Sequence, residues 1–170
     1  MSLGLYLHIP YCFSKCRYCD FYSHPGERGV PEAYVDALLR ELSRFAPEAP
    51  LQPDTLYFGG GTPSLLRPEQ AKRLIDAARP MPGAEITLEA NPETVTEESL
   101  AGFREAGVNR ISFGVQSARD TQLRTLGRPH TAKQARAAFA AAQRAGFTNI
   151  SGDIMLALPH YTERSEERRV

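Results

Sequence analysis

Short apolar runs alternate with longer segments of helical period along the whole chain, and this alternation limits the possible folds more than any other feature. The apolar runs predict strands at 3–9, 55–58, 85–90, 110–115 and 149–158. The segments between them predict helices at 31–45, 68–78, 96–107, 120–126 and 131–145. Repeated strand–helix units predict an α/β fold with a parallel sheet, in which right-handed crossovers place the helices on the outside.

The number of strands limits how much of a barrel the chain can form. At 170 residues the chain is long enough for one domain with a sizeable core. A closed eight-stranded (βα) barrel takes about 250 residues, so we expect a partial barrel of about five strands over residues 1–160. The polar segment 161–170 has no core-facing pattern and is predicted to be a tail. The last strand would lack a covering helix, so we interpret the chain as the front part of a longer protein.

Three cysteines fall in the loop directly after the first predicted strand. Cys12, Cys16 and Cys19 form a CxxxCxxC pattern, and an odd number of cysteines within eight residues does not match a disulfide framework. Ligands of parallel α/β sheets bind outside the carboxyl ends of the strands, so this loop is where a site is expected. Spacings of four and three residues allow one loop, wound by about two turns, to direct three thiolates to a common point.

Two kinds of metal centre are compatible with these cysteines. Iron–sulfur cubanes are held by cysteine thiolates, normally four, so three thiolates would leave one iron open to an external ligand. A structural zinc site would recruit His8 or His24 as its fourth ligand, although zinc sites usually combine paired Cys or Cys/His blocks. The pattern favours a [4Fe–4S] cluster, with a zinc centre or inert buried cysteines as the alternatives.

Charge and hydropathy give no support for nucleic acid or a membrane as a partner. The formal net charge is zero, which gives no reason to propose nucleic acid or an anionic membrane as a partner. No apolar run approaches the ~20 residues that span a bilayer, and the first residues do not have the pattern of a secretory signal. Together with clustered cysteines that need a reducing compartment, these features predict a cytoplasmic protein without a transmembrane segment.

Motifs along nearly the whole chain resemble one protein family. The cysteine pattern, with Tyr18 just before its last member, resembles the radical S-adenosylmethionine (SAM) superfamily. Five further blocks narrow the resemblance: Leu5-Tyr-Leu-His-Ile-Pro10, Tyr57-Phe-Gly-Gly-Gly-Thr-Pro63, Leu88-Glu-Ala-Asn-Pro92, Ile111-Ser-Phe-Gly-Val-Gln116, and Asp153 ahead of Leu158-Pro159. In this order they resemble the oxygen-independent coproporphyrinogen III oxidase-like family.

This resemblance implies a chemistry and a set of cofactor contacts. A [4Fe–4S] cluster held by the three cysteines would reduce SAM at its open iron, with electrons from a reducing donor, to give methionine and a 5′-deoxyadenosyl radical. The implied SAM contacts are Tyr6, Tyr18, Gly60, Gly61, Thr62, Glu89, Gln116, Arg128 and Asp153. Among these, Tyr18 is expected to pack on the adenine and Arg128 to pair with the carboxylate. No residue is assigned a catalytic role.

Phe21 distinguishes two branches of the family. The oxidases place a further cysteine two residues after the third, where this chain has Phe21. Phe21 followed by Ser23 and His24 resembles the HemW-like haem chaperones, which bind and deliver haem. The resemblance therefore favours a haem chaperone, with haem or a porphyrin as its partner, over oxidative decarboxylation of coproporphyrinogen. The family's C-terminal domain and haem-binding His motif lie beyond the matching residues, so neither is carried over.

Overall fold

The computed structural model describes residues 2–45 and 51–158. In chain order the elements are β1 (Gly4–Ile9), β2 (Tyr11–Cys12), β3 (His24–Pro25), α1 (Glu32–Phe45), β4 (Thr55–Gly60), α2 (Pro68–Ala78), β5 (Glu85–Ala90), α3 (Glu97–Ala106), β6 (Arg110–Gln116), α4 (Asp120–Leu126), α5 (Ala132–Arg144) and β7 (Asn149–Ile154). Short 3-10 helices at Pro63–Leu65 and Pro92–Thr94 follow β4 and β5. The predicted alternation of strands and helices is confirmed.

Five strands form one sheet in the order β1-β4-β5-β6-β7, and every neighbouring pair is parallel. At least one helix lies between each strand and the next strand of this sheet along the chain. Because the spatial order follows the chain order, the crossovers advance in one direction, as they do in a (βα) barrel. The predicted α/β architecture with about five parallel strands is confirmed.

The two faces of the sheet differ in polarity. On β5, Ile86, Leu88 and Ala90 are buried on the face that packs against the helices. Thr87 and Glu89 alternate with them on the opposite face. Sheets with helices on both faces have strands that are nearly continuous apolar runs, which these strands are not. We call the second face the polar face; it includes Tyr6, His8, Tyr57, Gly59, Thr87, Glu89, Arg110, Ser112, Asn149, Ser151 and Asp153.

Aromatic and aliphatic side chains fill the layer between the sheet and the helices. Phe58, Phe103 and Phe113 are fully buried there, together with leucines such as Leu74 and Leu88. Burying a side chain of this size contributes roughly 1.5–3 kcal/mol, so this layer is the main source of stability. This packed core therefore fixes the positions of the strands, whose carboxyl ends remain open.

Local sequence signals set the helix ends. Thr96 accepts a hydrogen bond from the backbone N–H of Ser99 at 3.1 Å, and Ser99 Oγ accepts one from the N–H of Thr96 at 2.9 Å. This reciprocal capping begins α3 where the sequence predicts a helix. Gly107 ends it with a φ of 112°, a conformation that favours glycine.

Among the helices of the described ranges, none is long and apolar enough to cross a membrane.

The last strand is shorter than predicted. The sequence predicts a strand from residue 149 to residue 158, but β7 ends at Ile154. The backbone leaves the sheet after Met155, whose N–H still donates to Gln116 O at 3.1 Å, and Ala157 has a φ of 54°. A positive φ at alanine is incompatible with an extended strand. The predicted tail 161–170 lies outside the described residues.

Candidate metal and cofactor site

An open cavity lies at the carboxyl ends of the strands. It is lined by the cysteine loop, the glycine turn after β4 and the ends of β5, β6 and β7. The predicted site residues in this lining are Cys12, Cys16, Tyr18, Cys19, Gly60, Gly61, Thr62, Glu89, Gln116, Arg128 and Asp153. Tyr6, which is also a predicted contact, does not line this cavity. The fold therefore gathers at one place side chains that are far apart in sequence.

The cysteine loop is held by pairing with other segments and not by helical winding. β2 and β3 pair at its base, where His24 N–H donates to Pro10 O at 2.6 Å and Glu27 N–H donates to Cys12 O at 3.1 Å. On its far side, Arg17 N–H donates to Leu126 O at 3.0 Å. The predicted winding by about two turns is wrong: within the loop only a single turn forms, in which Cys19 N–H donates to Cys16 O at 3.2 Å, and the other bonds reach distant partners.

The glycine turn brings backbone against the first cysteine. A Cβ at Gly61 would lie 2.9 Å from Cys12 Sγ and 2.7 Å from Tyr11 O, so only glycine fits. Gly60 has a φ of 121°, which also favours glycine. The sequence predicts a strand that ends at residue 58, whereas β4 continues through Gly60 before the chain turns. This turn therefore forms a close-fitting wall beside the Cys12 thiol.

Glu89 lies on the polar face with both carboxylate oxygens engaged. Oε1 accepts a hydrogen bond from Tyr57 Oη at 2.7 Å, and Oε2 accepts one from Gly60 N–H at 3.2 Å. Burial raises the pKa of Glu89 despite these donors, and the charge of Asp153 adds to the effect. Tyr6 stacks on Tyr57, with ring centroids 5.9 Å apart and planes at 15°. Tyr6 therefore contacts Tyr57, which in turn donates to Glu89.

Arg128 is almost buried, with 8% of its surface exposed. Its Nη2 donates to Asn91 Oδ1 at 2.6 Å and to Gly114 O at 2.7 Å, while its Nη1 donates to Cys16 Sγ at 3.4 Å. Nε is buried and has no hydrogen-bond partner among the described residues. A buried unpaired donor of this kind fits a wall that receives a polar ligand.

Tyr18 and the β6–β7 edge complete the wall. Burial raises the pKa of Tyr18 to about 12, against the opposing charge of Arg128, so its hydroxyl stays protonated at neutral pH. Ser112 Oγ lies 3.4 Å from each carboxylate oxygen of Asp153, and Ser151 Oγ donates to Ser112 Oγ at 2.9 Å. Gln116 ends β6 with a φ of 63°.

The three thiols fit a cluster better than they fit a single zinc ion. The described residues contain no group of three or more His, Cys, Asp or Glu side chains placed to hold one metal ion. Zinc requires all its ligands at about 2.3 Å (sulfur) or 2.0–2.1 Å (nitrogen) from one point. A cubane binds each thiolate at a different iron, so its ligands need not converge on one point, and the three cysteines line the same cavity. In the described part of the chain, neither His8 nor His24 lines this cavity.

Tyr57, Asn91 and Ser112 belong to the site but were not identified from the sequence. Asn91 and Ser112 line the cavity, and Tyr57 binds Glu89. Strand alternation places Tyr57 on the same face as Gly59, two residues later in β4. Asn91 follows Glu89 by two residues but lies just beyond the end of β5, so alternation alone does not place it. Ser112 is paired in register with Glu89 across the sheet, which needs the strand register to be known.

Comparison with known proteins agrees with this geometry. The model of the radical SAM superfamily matches residues 6–168. The haem chaperone HemW of Escherichia coli K12 is 43% identical over 163 residues, which cover 92% of this chain and 43% of that protein. HemW of Bacillus subtilis 168 is 39% identical over 172 residues, covering 97% of this chain and 45% of that protein. The chain thus spans less than half the length of these relatives.

Among solved structures, the chain is similar to coproporphyrinogen III oxidase (HemN) from Escherichia coli, a radical SAM enzyme. The two share 30% identity and a TM-score of 0.87, over 99% of this chain and 40% of that one. The predicted likeness to the coproporphyrinogen oxidase-like family, and to its haem-chaperone branch, is confirmed by these similarities.

Proposed function

Since the chain belongs to the radical SAM superfamily, we propose that Cys12, Cys16 and Cys19 hold a [4Fe–4S] cluster whose open iron binds SAM. The observation that carries the proposal is the single cavity shared by the three thiols, the glycine turn and the polar ends of the strands. The buried Nε of Arg128, which lacks a partner among the described residues, supports a polar ligand in this cavity. A bound cluster supplies one electron to the sulfonium of SAM.

The chain's own residues bind and orient SAM in this proposal. Gly60 and Gly61 offer backbone close to the first thiol, and Glu89 offers a carboxylate whose orientation is fixed by two donors. Tyr18 supplies a protonated aromatic wall, and Asp153 supplies a second carboxylate across the cavity. Such preorganised groups bind a zwitterionic nucleoside without further rearrangement.

We propose further that the protein acts with haem or a porphyrin, as a haem chaperone. The support is its similarity to proteins named haem chaperones and the position of Phe21, which lines the cavity while 67% of its surface is exposed. An exposed aromatic ring at a cavity mouth suits a flat apolar ligand. The similarity to HemN keeps coproporphyrinogen oxidation as the second candidate.

Anaerobic reconstitution with iron and sulfide tests the cluster proposal. We expect a brown protein with about four irons per chain and, after chemical reduction, an EPR spectrum that changes when SAM is added. Replacing Cys12, Cys16 or Cys19 with alanine should abolish the colour. A colourless wild-type protein, or one that binds zinc in place of iron and sulfide, contradicts the proposal.

A second experiment separates the two candidate functions. Haem added to the reconstituted protein should give a shifted Soret band that saturates, and coproporphyrinogen III added with SAM and reductant should remain unconverted. Formation of 5′-deoxyadenosine shows whether SAM is cleaved in either case. Decarboxylation of coproporphyrinogen would establish the oxidase instead.

The cellular location, the electron donor and the domain bounds are also proposals. We propose a cytoplasmic location, because clustered thiols and iron–sulfur clusters persist where the compartment is reducing. Electrons would come from a separate reducing protein or small molecule. Residues 1–160 are proposed as the radical SAM core and 161–170 as a polar tail. Since the relatives are more than twice as long, the same assays should be run on a polypeptide of their length.

A further inference from the structure

A continuous chain of hydrogen bonds joins two of the three cysteine sulfurs. It starts at Cys16, whose Sγ accepts from Arg128 Nη1 at 3.4 Å, and Arg128 Nη2 donates to Asn91 Oδ1 at 2.6 Å. Asn91 Nδ2 then donates to Thr62 Oγ1 at 3.1 Å, and Thr62 Oγ1 donates to Cys12 Sγ at 3.7 Å. Both sulfurs therefore receive a donor, and both donors are held by the same amide.

We propose that Asn91 is a positioning residue which holds Thr62 and Arg128 on the Cys12 and Cys16 sulfurs and thereby raises the reduction potential of the cluster. The inference rests on the proposed function, because it requires a cluster on these cysteines. It assigns to Asn91, a residue without a thiol or a charge, control over how readily the site accepts an electron.

An amide is the side chain that suits this place. Arg128 has only donors, so its neighbour must accept, and Thr62 uses its proton on Cys12, so its neighbour must donate. Asn91 does both at once, with its oxygen towards the guanidinium and its nitrogen towards the hydroxyl. Aspartate could accept from Arg128 but could not donate to Thr62. An aliphatic side chain could do neither.

The surrounding structure keeps this amide in place. Thr94 Oγ1 donates to the backbone oxygen of Asn91 at 2.9 Å, and Pro92 follows it in a 3-10 helix. Thr62 is 2% exposed and Arg128 is 8% exposed. Hydrogen bonds that are shielded from water in this way are electrostatically stronger than exposed ones.

Donors to the sulfurs act on the charge of the cluster. Reduction adds negative charge, and N–H or O–H dipoles that point at the ligand sulfurs stabilise that charge. Loss of the donors makes the cluster harder to reduce, so its potential becomes more negative. A residue that served packing alone would change stability but leave the potential where it was.

The test compares Asn91→Ala, Asn91→Asp and Asn149→Ala in the reconstituted protein. Asn149 is an exposed asparagine at the start of β7, away from the cavity, and serves as the matched control. Midpoint potentials are measured by EPR of samples poised at a series of potentials. We expect Asn91→Ala to disfavour reduction about tenfold, which for one electron is a shift of about 59 mV to more negative values. Asn91→Asp should shift it further, because a negative charge is added.

A second pair of variants covers the case in which Asn91→Ala does not retain its cluster. Thr62→Val removes the donor to Cys12 at nearly constant shape, and Thr62→Ser keeps it. Thr62→Val should shift the potential in the same direction, and Thr62→Ser should restore the wild-type value. Combining Asn91→Ala with Thr62→Val should shift the potential by less than the sum of the two single shifts, because both act through one chain.

The possible outcomes are distinct. Equal potentials for Asn91→Ala and Asn149→Ala, or for Thr62→Val and Thr62→Ser, overturn the inference even if iron is lost faster from one of them. A wild-type protein that takes up no cluster contradicts the proposed function itself, before the role of Asn91 is reached.

Discussion

At the scale of a single residue, burial of the Glu89 carboxylate costs the fold stability at neutral pH. Its carboxylate accepts from Tyr57 and from Gly60 N–H, yet burial still raises its pKa above the ordinary value. A carboxyl group with a raised native pKa binds more protons when folded than when unfolded. The free energy of unfolding therefore falls as the pH rises through the window between the two pKa values.

Glu89→Gln should stabilise the protein at pH 7 and weaken its binding of SAM. Glutamine has no charge to bury and keeps one accepting oxygen, for Gly60 N–H, while Tyr57 Oη can accept from the new amide nitrogen in place of donating to Oε1. The gain should be present above the raised pKa and should vanish below the ordinary glutamate pKa of about 4.3. Urea unfolding at pH 7 and pH 4 measures it, with the exposed Glu105→Gln as the control. A gain of equal size at both pH values would show that burial of the charge is not the cause.

Gly61 should tolerate no side chain. The Cβ of Gly61→Ala would press on Cys12 Sγ and on backbone at Tyr11, neither of which can move far. We expect a loss of roughly 1–3 kcal/mol in the free energy of unfolding and much lower iron content after reconstitution. Gly29→Ala is the matched control, because the nearest atom to its Cβ would be 3.9 Å away. Equal iron content in the two variants would refute the close fit at the first cysteine.

At the level of elements, α4 connects β6 to the cysteine loop. Leu126 at its end accepts the N–H of Arg17, and Gly127 follows with a φ of 73°. A Cβ at Gly127 would lie 3.1 Å from Arg17 Cγ, so the two segments are in direct contact. The next residue is Arg128, which binds Cys16. The end of α4 therefore positions the loop from outside the cavity.

Gly127→Ala should loosen the cysteine loop without changing any cluster ligand. A left-handed alanine costs about 1–2 kcal/mol in the backbone at either position, but Gly146, which follows α5 with a φ of 89°, has open space around it, whereas a Cβ at Gly127 also presses on Arg17. Only Gly127→Ala should also accelerate the release of iron to a chelator and the hydrogen exchange of residues 13–19. Release at equal rates from both variants would show that α4 does not support the loop.

Elements with a regular period could be predicted, and contacts between elements could not. The strands β4, β5 and β6 begin where the sequence predicts, because apolar side chains at alternate positions mark them. The pairing of β2 with β3 has only two residues on each side, too few for any period to show. The bonds of Arg128 to Asn91 and Cys16 join residues 37 and 112 positions apart, so only the folded chain brings them together.

At the scale of the whole molecule, one face of the sheet supplies stability and the other supplies the site. Apolar residues between the sheet and the helices form the core. The polar face carries Glu89, Ser112 and Asp153, whose burial without partners would be costly. Cofactors that bind at the carboxyl ends of these strands would thus connect segments from residue 12 to residue 153. Binding there should stabilise the molecule as a whole.

The stability of the molecule should therefore rise when the cluster is bound, and SAM should raise it further only once the cluster is in place. Reconstitution should raise the thermal midpoint, since the thiolate ligands are close together only in the folded chain. SAM at 100 times its Kd should add about 2.7 kcal/mol to the reconstituted protein and much less to the protein without iron, because the open iron is one of its ligands. Differential scanning calorimetry under anaerobic conditions measures both steps, with the variant lacking all three cysteines as the control. An equal SAM effect with and without the cluster would mean that SAM binds independently of the cysteine loop, and the proposed coordination would be wrong.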